Sequence, residues 1–290
     1  MTKKGLTLLI FPTVAVYSLV TIIPVLYLIN ASFHKTSIYM PGVSHFVGLD
    51  NFKAVLFSSE FWASMKFTFL FTGGSVFVQF VIGFAIALLF NRSFVGVKLA
   101  RSVLIIPMVI ASILVAVTWR MAYDPAYGII NYLLSLAGIK GPAWLSDPHS
   151  AVYSIILVDA WQWIPYMFFV LTSGLQSIPE DYYEASKIDG ASPIQSFVNI
   201  TLPMMQKVIV IAIIFRTMGV FRAYDLIYGL TGGGPGNATT NAPYYAYKLT
   251  FLFDSIGQGA AVCIVLLVLI SLICYSLSKF LGEIWGGEAR

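Results

Sequence analysis

Charge is scarce in this chain. Only 10% of its 290 residues are Asp, Glu, Lys or Arg, where a soluble domain carries about 25%. Hydrophobic residues make up 58%. A soluble fold of this length cannot hide that much apolar surface, so the surrounding solvent is lipid. Cysteine and histidine are scarce too. Cys263 and Cys274 lie in one apolar run, at a separation that suits neither a metal site nor a redox pair, and they read as packing residues. His34, His45 and His149 are scattered outside the apolar runs, and no HExxH-type zinc pattern occurs. The run Gly232-Gly233-Gly234-Pro235-Gly236 lacks the lysine of a phosphate-binding loop and reads as a turn. A net charge of +4 is too small to point to nucleic acid. Low-complexity tracts and clear internal repeats are lacking as well, so the chain reads as one membrane domain over residues 1–290.

What is present is apolar length. Six stretches reach the roughly 20 residues that a spanning helix needs: 6–30, 67–90, 102–119, 151–175, 208–230 and 256–279. Lys3-Lys4 ahead of the first resembles the start of a signal peptide. The uncharged run from Gly5 to His34 exceeds the signal core of about 7–15 residues, so an uncleaved first span is expected. The fifth stretch is interrupted by Arg216, Arg222 and Asp225. Six spans put both termini on one side, together with loops 91–101 and 176–207. That side carries nine basic residues in 60, including Lys3, Lys4, Arg92 and Arg290, against six in 87 on the other. Basic excess marks the cytoplasmic side, so both termini are expected in the cytoplasm.

One long polar insert, 177–203, then falls on the cytoplasmic face. Ser177 with Glu180 fits a capping box, and Pro179 suits a first turn. A short helix is predicted over 178–189, ended by Gly190 in a left-handed conformation. Ser192, Pro193 and Gln195 begin a second helix with a second capping box, which Pro203 is expected to end or kink. Four acids, Glu180, Asp181, Glu184 and Asp189, sit on a side that is otherwise basic. A long ordered connection of this kind tends to be functional. Either a folded surface loop or a docking element for a soluble partner accounts for it.

The string Glu184-Ala185-Ser186-x-x-Asp189-Gly190-Ala191, followed by Phe197-x-x-Ile200-x-Leu202-Pro203, resembles the EAA loop of permease subunits of binding-protein-dependent ABC importers. Ser186 stands where the family usually has a second alanine. Phe46–Phe52 (FVGLDNF), the run Tyr127–Trp144 and Leu230–Thr239 (LTGGGPGNAT) are similar to the carbohydrate branch, and to its maltose/glycerol-phosphate-type first permease subunit. The resemblance covers almost the whole chain. It implies an all-α membrane protein with six transmembrane helices, the MetI-like type I importer fold, and a cytoplasmic helix–turn–helix coupling loop. It implies a multi-pass protein of the bacterial inner membrane, in a heterodimer with a second permease. Two ATPase subunits would supply the energy, ATP and Mg residing there and no cofactor on this chain, and an external binding protein would deliver the solute. Glu184, Ala185, Ser186, Asp189, Gly190 and Ala191 are then the ATPase-coupling residues, with Glu184 the acidic contact and Gly190 the turn.

Asp159 is an ionisable residue inside a span, which by default is a functional candidate. Asp159, Trp163 and Tyr166 share one helical face at i, i+4 and i+7. Trp161 lies off that face, and Pro165 is expected to kink the helix and re-aim its neighbours. A carboxylate and flat rings suit a polyhydroxy solute; alternatively the rings pack between helices and Asp159 pairs with Arg216 or Arg222. The resemblance to the maltose-transporter subunits assigns solute contacts to Asp159, Trp161, Trp163 and Tyr166, and to Arg216, Gly219, Val220, Arg222 and Ala223 in the next span. Paired with Asp159 and Asp225, the arginines fit a neutral sugar or polyol. Unpaired, they fit an anionic solute such as glycerol 3-phosphate or a sulfonated sugar. Two other classes use the same residues: a secondary transporter with Asp159 as proton relay, and an integral membrane enzyme. The first often shows internal repeats, which this chain lacks.

Overall fold

The computed structural model describes residues 3–40, 42–91 and 95–286, with only the backbone of 3–9 and 280–286. Arg92 and Arg290, which enter the charge asymmetry, lie outside the described residues, as do the side chains of Lys3 and Lys4. In chain order the elements are α1 (Lys3–Ser32), β1 (His34–Thr36), β2 (Ser44–Phe46), α2 (Asp50–Leu56), α3 (Ser59–Phe90), α4 (Val97–Leu104), α5 (Ile106–Val109) and α6 (Ser112–Ala122). Then come α7 (Ile129–Leu136), α8 (Pro148–Gln176), α9 (Glu180–Ile188), α10 (Pro193–Ser196), α11 (Leu202–Phe221), α12 (Asp225–Leu230), α13 (Ala242–Tyr247) and α14 (Ile256–Gly286). Among the described residues the regular structure is helical apart from one short antiparallel hairpin that pairs His34 with Phe46 and Thr36 with Ser44.

Among the described residues five helical stretches are long and apolar enough to cross a bilayer: Ile10–Ser32, α3, α8, Pro193–Phe221 and Ile256–Lys279. The pair Val97–Val109 and Ser112–Ala122 makes a sixth if counted as one span, bent by 94°. Sequence alone predicts one span at 102–119. The bend arises because Ile110 and Ala111 are extended, and the Ile110 carbonyl is taken by the Gln162 amide at 2.9 Å instead of by its own helix. The predicted fifth span, 208–230, is also redrawn. The helix starts at Pro193 and ends at Phe221, and α12 follows a break at 222–224. Pro203 does not end it. A π-turn at Phe197–Thr201 precedes the proline, with Leu202 N–H donating to the Phe197 carbonyl. That wider turn makes room beside a residue that lacks an N–H and crowds the carbonyl four residues back.

Two compact units result, Met1–Trp62 with Ala242–Leu269, and Ala63–Asn241 with Ile270–Arg290. In the first, Asn51 ties the hairpin to its flanking helix, donating to the Ser32 and His34 carbonyls at 2.9 and 3.0 Å. Asp254 accepts from the Ile38 N–H at 2.6 Å and from the Ser37 hydroxyl.

The second unit is organised on α8, the most buried of the spans. Lipid gives helices no hydrophobic reason to associate, so close backbone approach at small residues does the packing. A Cβ at Gly83 of α3 would lie 2.6 Å from Met167 Cβ, and one at Gly74 would lie 2.8 Å from Ile156 Cδ1, both on α8. A Cβ at Gly229 would put α12 2.7 Å from Ala116 Cβ of α6. These contacts bring α3, α6, α8, α11 and α12 around one polar space.

Candidate functional site

The polar space is a cavity of about 450 Å³. Two turns of α8 supply Asp159, Gln162, Trp163 and Tyr166, which lie at i, i+3, i+4 and i+7 and therefore share a face. α11 supplies Phe215, Arg216 and Gly219, the break after it supplies Arg222, Ala223 and Tyr224, and Ser112 opens α6. Both broken helices restart at the cavity, α6 at Ser112 and α12 at Asp225. Side chains hold the two breaks open. Gln162 donates to Ile110 at the first, and the Asn241 amide donates to the Ala223 carbonyl at the second.

The buried charge is paired. Arg216 NH2 donates to both Asp159 oxygens at 2.7 Å, and each side chain is about 4% exposed. Gln79 of α3, fully buried, closes the set: its Oε1 accepts from Arg216 Nε at 2.6 Å, and its Nε2 donates to Asp159 Oδ2 at 2.7 Å. The Trp163 ring lies 4.5 Å from the guanidinium carbon, within cation–π range. Removing one partner of such a pair strands a buried charge, at a cost of about 3–5 kcal/mol. Arg222 and Asp225 are exposed on the cavity wall, and among the described residues neither makes an ion pair.

Of the nine solute-site residues expected from sequence, Asp159, Trp163, Tyr166, Arg216, Gly219, Arg222 and Ala223 line this cavity. Trp161 and Val220 do not. Pro165 does not turn Trp161 inward; its ring lies edge-on to Trp119 at 5.4 Å, 40% exposed. Val220 is fully buried in helix packing. Sequence reasoning missed Gln79, Ser112 and Gln162. The signal for Gln162 was available, since i+3 from Asp159 is on the same face. The Gln162 Oε1 is buried without a hydrogen-bond partner.

The polar insert folds as a helical hairpin, α9 then α10. Ser177 does not cap it. α8 extends to Gln176, so Ser177 is its C-terminal cap and donates to the Gly174 carbonyl at 2.7 Å. Pro179 occupies the N-cap of α9 without a side-chain bond, and Glu180 and Asp181 face the positive end of the helix. The second capping box forms as predicted, with Ser192 N–H donating to Gln195 Oε1 at 2.7 Å and Gln195 N–H to Ser192 Oγ at 3.3 Å. Between the helices Gly190 has φ +76°. Ala191 N–H bonds back to the Ser186 carbonyl and Gly190 N–H to that of Lys187, which is a Schellman closure. Ser186 is buried and joins its hydroxyl to that of Ser196 at 3.1 Å; Tyr183 and Thr201 join theirs at 3.0 Å. Glu184, Ala185, Asp189 and Gly190 are exposed, and Ile188 and Ile194 flank the turn at 87% and 76% exposure.

Apolar spans around a charge-paired internal cavity, joined to a stiff helical hairpin in the α8–α11 connection, describe a membrane transport component rather than an enzyme. Residues 79–282 match the family described as binding-protein-dependent transport system inner membrane component. The chain is 39% identical to the trehalose/maltose transport system permease protein MalF of Thermococcus litoralis, over 91% of this chain and 88% of that one. It is 33% identical to the sulfoquinovosyl glycerol transport system permease protein SmoG of Agrobacterium fabrum, over 90% and 85%. Its fold is that of a chain in a bacterial ABC transporter involved in the import of the acidic polysaccharide alginate, with a TM-score of 0.81, 22% identity, and coverage of 95% and 94%. The chain belongs to the binding-protein-dependent transport system inner membrane component family and is a multi-pass permease subunit of an ABC importer.

Proposed function

We propose that this permease carries a neutral polyhydroxy solute, a sugar or polyol, through the cavity at Trp163, Tyr166 and Arg216. The observation that carries this reading is the charge balance there: Asp159 neutralises Arg216, and the remaining Arg222 and Asp225 are one cation and one anion on the same wall. Such a wall gives hydroxyl groups both donors and acceptors while offering a net anion no surplus charge. Two ring systems add flat faces for the C–H surfaces of a sugar. The names of the trehalose/maltose and sulfoquinovosyl glycerol relatives agree with a carbohydrate cargo.

The hairpin 180–196 engages a separate ATPase subunit, in a complex with a second permease, two ATPases and an external binding protein. Exposed Ile188 and Ile194 beside the turn are the apolar knuckles such a cleft takes up. Both termini and the hairpin are cytoplasmic, ATP and Mg stay on the ATPases, and alternating access rocks the spans as packed bodies. The test is uptake by the complete complex in proteoliposomes with a panel of trehalose, maltose, sorbitol, sulfoquinovosyl glycerol and glycerol 3-phosphate. Neutral members are expected to compete for uptake. Selective uptake of the charged members overturns the charge-balance reading, and transport by this chain alone without ATP overturns the importer assembly.

A further inference from the structure

We infer that Asp159 and Gln79 are positioning residues that aim Arg216, and that the guanidinium NH1 of Arg216 is the polar group offered to the solute. The inference rests on the cavity being the solute path. Asp159 borders the cavity but is 3% exposed, and both its oxygens are occupied by Arg216, with Oδ2 also taken by Gln79. Gln79 is fully buried on α3 and is not part of the cavity wall. Its carboxamide is used at both ends, accepting from Arg216 Nε and donating to Asp159.

A guanidinium carries five N–H donors in a fixed fork. Here Nε and NH2 are held by Gln79 and Asp159, while NH1 has no hydrogen-bond partner among the described residues. NH1 lies beside Gly219, where a Cβ would sit 2.9 Å away. The absence of a side chain at Gly219 therefore leaves room beside NH1 at the cavity wall, which both residues line. Trp163 supports one face of the group. Three helices thus hold one cation in a single orientation, so its ordering entropy is spent before the solute arrives.

A carboxylate that only neutralises and orients Arg216 can be moved to the other partner. A carboxylate that touches solute cannot. The test uses the complete complex and radiolabelled trehalose, or the panel sugar that the wild-type complex takes up fastest. Asp159→Asn is expected to lower uptake by at least about a hundredfold, the scale of an unpaired buried charge. The double variant Gln79→Glu with Asp159→Asn places the charge where Gln79 Oε1 already meets Arg216 Nε at 2.6 Å. It is expected to recover uptake to within about tenfold of wild type, with the half-saturation concentration nearly unchanged. Thermal stability of the purified complex is followed in parallel.

A double variant that regains stability but not uptake, or regains uptake only with a strongly raised half-saturation concentration, overturns the inference and returns Asp159 to the solute contacts. A double variant that does not assemble overturns it too, because the moved charge then fails to satisfy Arg216. Full uptake by Asp159→Asn overturns it directly. Arg216→Gln separates the levels: unchanged uptake there removes the cavity from the solute path, whatever Asp159 does.

Discussion

Replacing Gly190 with valine separates backbone conformation from packing. Gly190 has φ +76°, and a Cβ built there meets nothing within 4 Å. Steric exclusion by neighbours is therefore absent, and only the left-handed backbone opposes a side chain. That conformation costs an L-residue about 1–2 kcal/mol, and the entropy glycine loses on ordering offsets about 0.5–1 kcal/mol of it. The net penalty for valine is then roughly 1 kcal/mol, a factor of about five in the ratio of closed to open turn. The expected series is asparagine near wild type, because asparagine visits this conformation readily, then alanine, then valine. The assay measures solute-stimulated ATP hydrolysis and uptake on the same proteoliposomes. Uptake per ATP is expected to fall for valine, by at most about fivefold, with membrane insertion unchanged. Equal impairment by asparagine and valine would refute the backbone argument and point to bulk at the tip. Wild-type coupling in the valine variant would refute the hairpin as a lever.

Three further outcomes follow from the packing. Gly83→Leu forces a side chain into a 2.6 Å approach to Met167, and should destabilise the purified complex by about 1–3 kcal/mol; an unchanged melting temperature would show that α3 and α8 can separate there. Asn241→Leu removes the donor to the Ala223 carbonyl, costing about 1–3 kcal/mol for the stranded buried group and reducing uptake, whereas a variant with normal uptake means that the break at 222–224 holds its shape unaided. Ser186→Ala and Ser196→Ala share one hydrogen bond, so in a double-mutant cycle their stability effects should be less than additive by about 0.5–1.5 kcal/mol; strict additivity would place the bond outside the folded hairpin.

How much of this was legible in the sequence depended on which physics left a local mark. The spans and the second capping box were readable because apolar length and the Ser192–Gln195 spacing are local signals. Asp159, Trp163 and Tyr166 were readable as a set because an acid inside a span is costly and helical spacing gives the face. Gln79 was not. A single amide in α3 has no sequence-level pointer to a cation 137 residues away, and only tertiary packing joins them. The two breaks failed for a related reason: neither Ile110 nor Ala223 carries a breaking residue type, and the partners that take their carbonyls, Gln162 and Asn241, are remote in sequence. Ser177 was misassigned because α9 starts only at Glu180, with Pro179 in the N-cap position, which leaves Ser177 to end α8 at Gln176.

The π-turn at Phe197–Thr201 sets a phase. It inserts one residue beyond an α-helical repeat, and each residue turns a helix by about 100°. The face of α11 that carries Arg216 and Gly219 is therefore offset by about that angle from where an unbroken α-helix growing out of the hairpin would aim it. Hairpin and cavity are parts of one continuous helical rod, Pro193–Phe221, and their mutual azimuth is encoded by a single inserted residue. Closing 197–201 into regular α-helical turns, with no residue removed, would leave every side chain chemically intact and point the cation at a different neighbour.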